Sequence, residues 1–76
     1  MEKFENVEVL KKLGNQIRLI RKRKKLTLDD VSVQSGIDTS DIGKIERGEI
    51  NLAFITLYRI AKGLDIKLSL LLDYEE

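Results

Sequence analysis

The strongest constraint in this sequence is a pair of near-identical helix openings. TLDD at residues 27–30 and DTSD at residues 38–41 each put a side-chain oxygen at a helix start and an acid three residues on. Such an oxygen accepts from the unpaired amides of a first helical turn. The acid can reach back to the amide of the capping residue. Gly36 and Gly48 stand where these two helices have to stop, positions at which a left-handed residue closes a helix. Two short helices are therefore expected, separated by about three residues.

Two short helices joined by a Gly-containing turn form a helix-turn-helix. They need other elements to bury them, and the flanking sequence supplies helical periodicity only. A first helix is expected over 7–24 with Asn6 as its N-cap. Leu10, Leu13, Ile17 and Ile20 form its inward stripe, with Arg21 on the edge. A fourth is expected over 53–62, with Phe54, Leu57, Ile60 and Ala61 inward and GLD at its end. A short fifth follows over 68–73. With no Pro to interrupt helices, the expected architecture is all-α, five helices in one domain of 76 residues. Its parts are a helix-turn-helix at about 27–47, an N-terminal extension at 1–12 and a C-terminal segment at about 64–76.

The missing residue types exclude chemistry. Without Cys there is no disulfide and no thiolate metal site, and without His the commonest general base is gone. The five glycines are dispersed, so no phosphate-cradling loop exists. Ser32 has no base to activate it and is expected to pack as a small residue. An enzyme is not expected, nor any cofactor or metal. No apolar run reaches the roughly 18 residues of a membrane span. The acidic N-terminus does not resemble a secretory signal. A cytoplasmic protein without membrane contact is expected.

The net charge is +1, but its distribution is uneven. Lys11, Lys12, Arg18, Arg21, Lys22, Arg23, Lys24 and Lys25 fall in residues 9–28 with no acid among them. Asp65, Asp73, Glu75 and Glu76 face Lys67 alone in residues 65–76. A basic block can meet a polyanion even on a neutral molecule. It can equally be a solvated helix end. The third helix poses the same alternative. At about 100° per residue, Thr39, Ser40, Gly43, Lys44 and Arg47 share an arc of roughly 140°, with Ile42 and Ile45 opposite. That is a surface to lay in a DNA major groove, or an ordinary solvent face.

From Leu13 to about Leu72 the chain resembles the lambda-repressor-like, Cro/C1-type helix-turn-helix family (XRE). The resemblance rests on IRLIRKRKKLT (17–27), DDVSVQSGID (29–38), IGKIERG (42–48) and LYRIAKGLDIKL (57–68). It implies a five-helix domain that binds operator DNA as a homodimer, with its third helix in the major groove. Thr39, Ser40, Gly43 (by close backbone approach) and Lys44 are then the base-contacting residues, with Arg47 and Asn51 at phosphates. Asp38 is expected to cap. Arg21 and Glu46 are implied to form a structural ion pair between the first and third helices, rather than DNA contacts. Leu28 stands where relatives often carry a Gln that touches DNA, so at most an apolar contact is expected there. The sequence lacks the usual Pro-Ser before the fourth helix, and Asn51 is expected either to cap that helix or to touch phosphate.

The fifth helix is more apolar than the family's. Leu64, Ile66, Leu68, Leu70 and Leu72 are expected to supply a dimer interface. Two recognition helices would then lie about 34 Å apart on an inverted repeat. The short chain is similar to restriction–modification controller proteins. The alternative is a protein-interaction module of the same fold, an antitoxin-like or coactivator-like adaptor. Glu2, Glu5 and Glu8 would then serve partner docking, and Asp29 and Asp30 would weaken DNA binding if they faced the duplex.

Overall fold

The helices of this protein begin and end in different ways. The computed structural model describes residues 6–75. It contains α1 (Asn6–Arg23), α2 (Leu28–Ser35), α3 (Thr39–Glu46), α4 (Phe54–Gly63) and α5 (Leu68–Leu71), with no strand among the described residues. Glu2 and Glu5 lie outside them. Asn6, the first of the described residues, is already helical instead of preceding α1 as a cap.

At α2 the expected capping box is complete. Asp30 N–H donates to Thr27 Oγ1 at 3.0 Å, and Thr27 N–H donates to Asp30 Oδ2 at 2.8 Å. At α3 the same signature gives a different result. Asp38 occupies the N-cap but its carboxylate accepts no capping bond, so the expected cap is corrected. Its backbone sits at φ −58°, ψ 145°, against −85°, 169° for Thr27. The cap of α4 is Ala53, also without a side-chain bond; Asn51 lies two residues outside and caps nothing.

Three helix ends share one closure. In the Schellman arrangement a left-handed residue lets the chain return two amides to the last carbonyls. Lys25 (φ 60°) does this for α1, Gly48 (φ 73°) for α3 and Asp65 (φ 57°) for α4. The six-residue bonds are Leu26 N–H to Arg21 O, Glu49 N–H to Lys44 O and Ile66 N–H to Ala61 O. Gly36 (φ 75°) ends α2, and the turn to α3 is Gly36–Ile37–Asp38. Ser35 stiffens that turn, because its hydroxyl accepts from Ile37 N–H at 3.2 Å.

The core consists of Ile17, Ile20, Val31, Ile42, Ile45, Ile60, Ala61, Leu64 and Leu71, drawn from all five helices and the turn after α4. Leu71 explains how a one-turn α5 persists. An isolated helix of four residues is unstable in water. Full burial of a Leu side chain contributes about 1.5–3 kcal/mol, and Leu71 is 0% exposed. Phe54 corrects the inward stripe expected for α4. It shares the helical phase of Leu57 but is 67% exposed. It sits in the first turn of α4, and the core residues of that helix begin only at Ile60.

Two glycines allow the helices to touch. A Cβ on Gly14 would stand 2.5 Å from the carbonyl oxygen of Glu46 and would also strike that of Ile45, so α1 lies directly on the end of α3. A Cβ on Gly63 would meet Ser35 Cβ at 3.0 Å and Val31 Cγ1 at 3.1 Å, so α4 lies on α2. Gly63 is thus a packing residue as well as the last residue of α4, and GLD ends the helix as expected, with Leu64 as its C-cap and Asp65 left-handed. The enclosed polar residue of α2 is Ser35, at 7% exposure; Ser32 is half-buried.

Candidate nucleic-acid interface

The apolar side of α3 fixes which side is left outside. Ile42 is 0% and Ile45 3% exposed, so the opposite face looks to solvent. Ser40, Lys44 and Arg47 are exposed there and Thr39 is half-buried. The acids of α3 are placed elsewhere. Asp38 and Asp41 line a shallow cleft toward α4, together with Ile50, Asn51, Thr56 and Arg59. The outer face therefore combines hydroxyls with two cations. Hydroxyls and a Lys are donors and acceptors suited to base edges and phosphates.

Gly43 departs from the expected open backbone. It is buried, and the side chain of Arg47 lies over it, with Nη1 3.2 Å from where a Cβ would stand. The guanidinium of Arg47 thus stands between the Gly43 backbone and solvent. That guanidinium is also engaged beyond α3. Nε donates to Glu49 Oε2 at 2.8 Å and Nη2 to Glu49 Oε1 at 3.4 Å. The hydrogen bond and then the charge of Glu49 push the Arg47 pKa up. The Arg47 hydrogen bond holds the Glu49 carboxyl below its ordinary value.

A second Arg–Glu pair holds the face in place from behind. Arg21 Nε donates to Glu46 Oε2 at 2.7 Å and Nη2 to Glu46 Oε1 at 3.0 Å. Nη1 donates to the carbonyl of Leu26 at 2.9 Å. The side chains are 12% and 6% exposed. The Glu46 hydrogen bond raises the Arg21 pKa, against the opposite pull of burial. One planar fork thus ties the basic end of α1, the turn before α2 and the last residue of α3.

The Asp30 carboxylate serves Thr27, whose backbone and side-chain hydrogen bonds hold its pKa down. Asp29 is exposed. Leu28 is half-buried and packs against the core, and Asn51 is exposed in the loop after α3.

The expected dimer segment is split by the fold. Leu64 is 0% exposed and belongs to the core, because the turn after α4 folds it beneath the helix; it is removed from any external interface. Ile66 and Leu68 are half-buried against the core. Leu70 and Leu72 are 51% and 45% exposed. Spacing alone did not single out the exposed apolar residues of α4. These are Phe54, Ile55 and Tyr58, with Lys62 Nζ 6.0 Å from the Tyr58 ring centre. Three apolar residues at i, i+1 and i+4 on one helix were the available signal.

Five helices, a three-residue turn between α2 and α3, and an α3 held by its apolar side define a helix-turn-helix domain. The sequence profile of the helix-turn-helix family matches residues 17–71. The HTH-type transcriptional regulator SlrR of Bacillus subtilis is 38% identical over 64 residues, 83% of this chain and 42% of SlrR. The uncharacterized HTH-type transcriptional regulator y4dJ of Sinorhizobium fredii is 32% identical over 60 residues, 79% of this chain and 78% of that protein. Among solved structures, the restriction-modification controller protein C.AhdI from Aeromonas hydrophila superimposes with a TM-score of 0.81 at 33% identity, covering 84% of this chain and 97% of C.AhdI. The wild-type controller protein C.Esp1396I gives 0.78 at 33%, covering 92% and 86%. The chain belongs to the Cro/C1-type helix-turn-helix family.

Proposed function

We propose that this protein is a sequence-specific DNA-binding regulator of transcription that acts in the cytoplasm as a homodimer, with α3 in the major groove of an inverted-repeat operator. The carrying observation is the outer face of α3, where Ser40, Lys44 and Arg47 are exposed while Asp38 and Asp41 line the cleft toward α4. Thr39, Ser40 and Lys44 read base edges. Arg47 and Asn51 take phosphates, and Leu28 gives at most an apolar contact. The Arg21–Glu46 pair keeps α3 in register with α1. The names of SlrR and of the controller proteins support a regulatory role of the controller kind.

The dimer surface in this reading is Leu70 and Leu72 at the edge of α5, with Ile66 and Leu68 beneath them. Phe54, Ile55 and Tyr58 are further exposed apolar residues, on α4. Exposed apolar surface on a small domain marks a partner site. The same surface also supports the second reading, an antitoxin-like or adaptor module of this fold that binds another protein.

Selection of bound duplexes from a random-sequence pool at two salt concentrations separates the two. The regulator enriches a two-fold symmetric site and loses affinity steeply as salt rises. Weak binding with no enriched site rejects the operator reading in favour of the adaptor. On the enriched site, Lys44→Ala costs about 1–3 kcal/mol and relaxes preference at one position. A uniform loss over all sequences reassigns Lys44 to phosphate.

A further inference from the structure

Glu49 is in an awkward position for an acid. The Schellman bond from its own N–H to the carbonyl of Lys44, 2.9 Å, pins it against the C-terminal end of α3. That end carries the negative pole of the helix, where a carboxylate is disfavoured. The compensation comes from Arg47 two residues earlier. Gly48, in its left-handed conformation, turns the chain so that the Glu49 carboxylate meets the Nε–Nη2 edge of the guanidinium. Gly43 provides the floor, since a larger residue would press on Nη1. Gly43, Arg47 and Glu49 thus form a seat in which a cation of the outer face already holds an oxyanion. A carboxylate and a phosphate present the same pair of oxygens to a guanidinium fork.

We propose that Glu49 is an intramolecular stand-in for a DNA phosphate, a sequence-independent brake on DNA binding. This rests on the reading of α3 as the DNA-facing helix. A phosphate that takes the Nε–Nη2 edge of Arg47 displaces the carboxylate and leaves it beside a second anion. The two side chains are 58% and 50% exposed, so the exchange meets no burial barrier. Because the contact is to the backbone of DNA, the brake acts on operator and random sequence alike. It lowers occupancy of the many competing sites while base contacts by other residues keep their full weight.

The test is a double-mutant cycle of Glu49→Gln and Arg47→Gln, read as affinity for the selected operator and for a random-sequence duplex. Glu49→Gln is expected to tighten binding to both by about three- to fivefold, the range of an exposed ion pair. In the Arg47→Gln background the same substitution is expected to gain little. An equal gain in both backgrounds means simple repulsion by the carboxylate and overturns the proposal. So does unchanged or weakened binding of Glu49→Gln. Unaltered melting temperatures exclude a folding cause.

A second arm does not depend on DNA. Inorganic pyrophosphate is titrated while the Arg47 Nε resonance is followed by NMR. Glu49→Gln is expected to bind it more tightly than the unaltered protein, and equal titrations overturn the proposal. A protein that binds no duplex but shows the pyrophosphate difference loses the DNA-binding reading and keeps the competition at Arg47.

Discussion

Arg21–Glu46 and Arg47–Glu49 use the same chemistry for opposite ends. In both, Nε and Nη2 of an arginine grip the two oxygens of a glutamate, and the Nε bonds are 2.7 and 2.8 Å. The surroundings differ. Arg21 and Glu46 lie 25 residues apart in sequence on α1 and α3 and are 12% and 6% exposed, and Arg21 makes a third bond to the carbonyl of Leu26. Arg47 and Glu49 are two residues apart and more than half or about half exposed. Burial makes the first pair hard to replace, because removing one partner leaves a charge with little access to water. Exposure makes the second exchangeable, because water can take the place of either partner and another anion can take that of Glu49. The difference teaches that an ion pair's role is set by its access to solvent more than by its geometry.

The sharpest way to break the comparison is to cut the first pair. Glu46→Ala or Arg21→Ala should cost about 3–5 kcal/mol in urea unfolding, the range for a buried pair deprived of one partner. A loss as small as that of a surface substitution would put the two pairs in one class. Next comes the contact that brings α1 to Glu46. Gly14→Ala should cost about 1–3 kcal/mol, since its Cβ would strike backbone carbonyls that cannot turn aside. Its unfolding midpoint should fall while the urea dependence stays constant.

A smaller effect is expected at the helix starts. Thr27→Ala should cost about 1 kcal/mol, and Asp38→Ala clearly less, because only Thr27 makes a capping bond. The pH dependence follows from Asp30. Its folded pKa lies below the ordinary value, so the contribution is complete at neutral pH. It fades as acid protonates the carboxylate through that lowered pKa. Amide exchange at the start of α2 should speed up on acidification relative to the start of α3. The smallest effect belongs to the second pair. Arg47→Ala should leave the melting temperature unchanged within error while weakening DNA binding. A clear loss of stability would show that Arg47 serves the fold.

What the sequence revealed was local. Thr27 and Asp30 are three residues apart, and their reciprocal bonds depend on one turn of backbone. The identical spacing at Asp38 and Asp41 failed because a capping bond also needs the right backbone angles, which the residues after Gly36 set. The apolar phase of α4 was legible, but not where its cover ends, so Phe54 was placed inside. Leu64 was misassigned to a surface because GLD marked the end of α4 but not that the reversal at Asp65 leaves Leu64 in the core. Gly14 gave no signal, since its neighbours Ile45 and Glu46 lie more than 30 residues away. The Arg21–Glu46 pair followed from family resemblance; spacing alone put each residue only at the border of a stripe. On the outer face of α3, helical phase located Ser40, Lys44 and Arg47. It did not show Arg47 lying across Gly43.

The side chains of Ser40 and Lys44 make no hydrogen bond or ion pair with the rest of the molecule among the described residues. The Lys44 charge helps to lower the Glu49 pKa, but no hydrogen bond or ion pair of the fold depends on either side chain. Substitutions at these two positions should therefore disturb the domain little. Under the proposed reading of α3, the groups that meet the bases are then separate from those that hold the helix, and an engineer could randomise Ser40 and Lys44 in search of new target sequences with little attrition from misfolding.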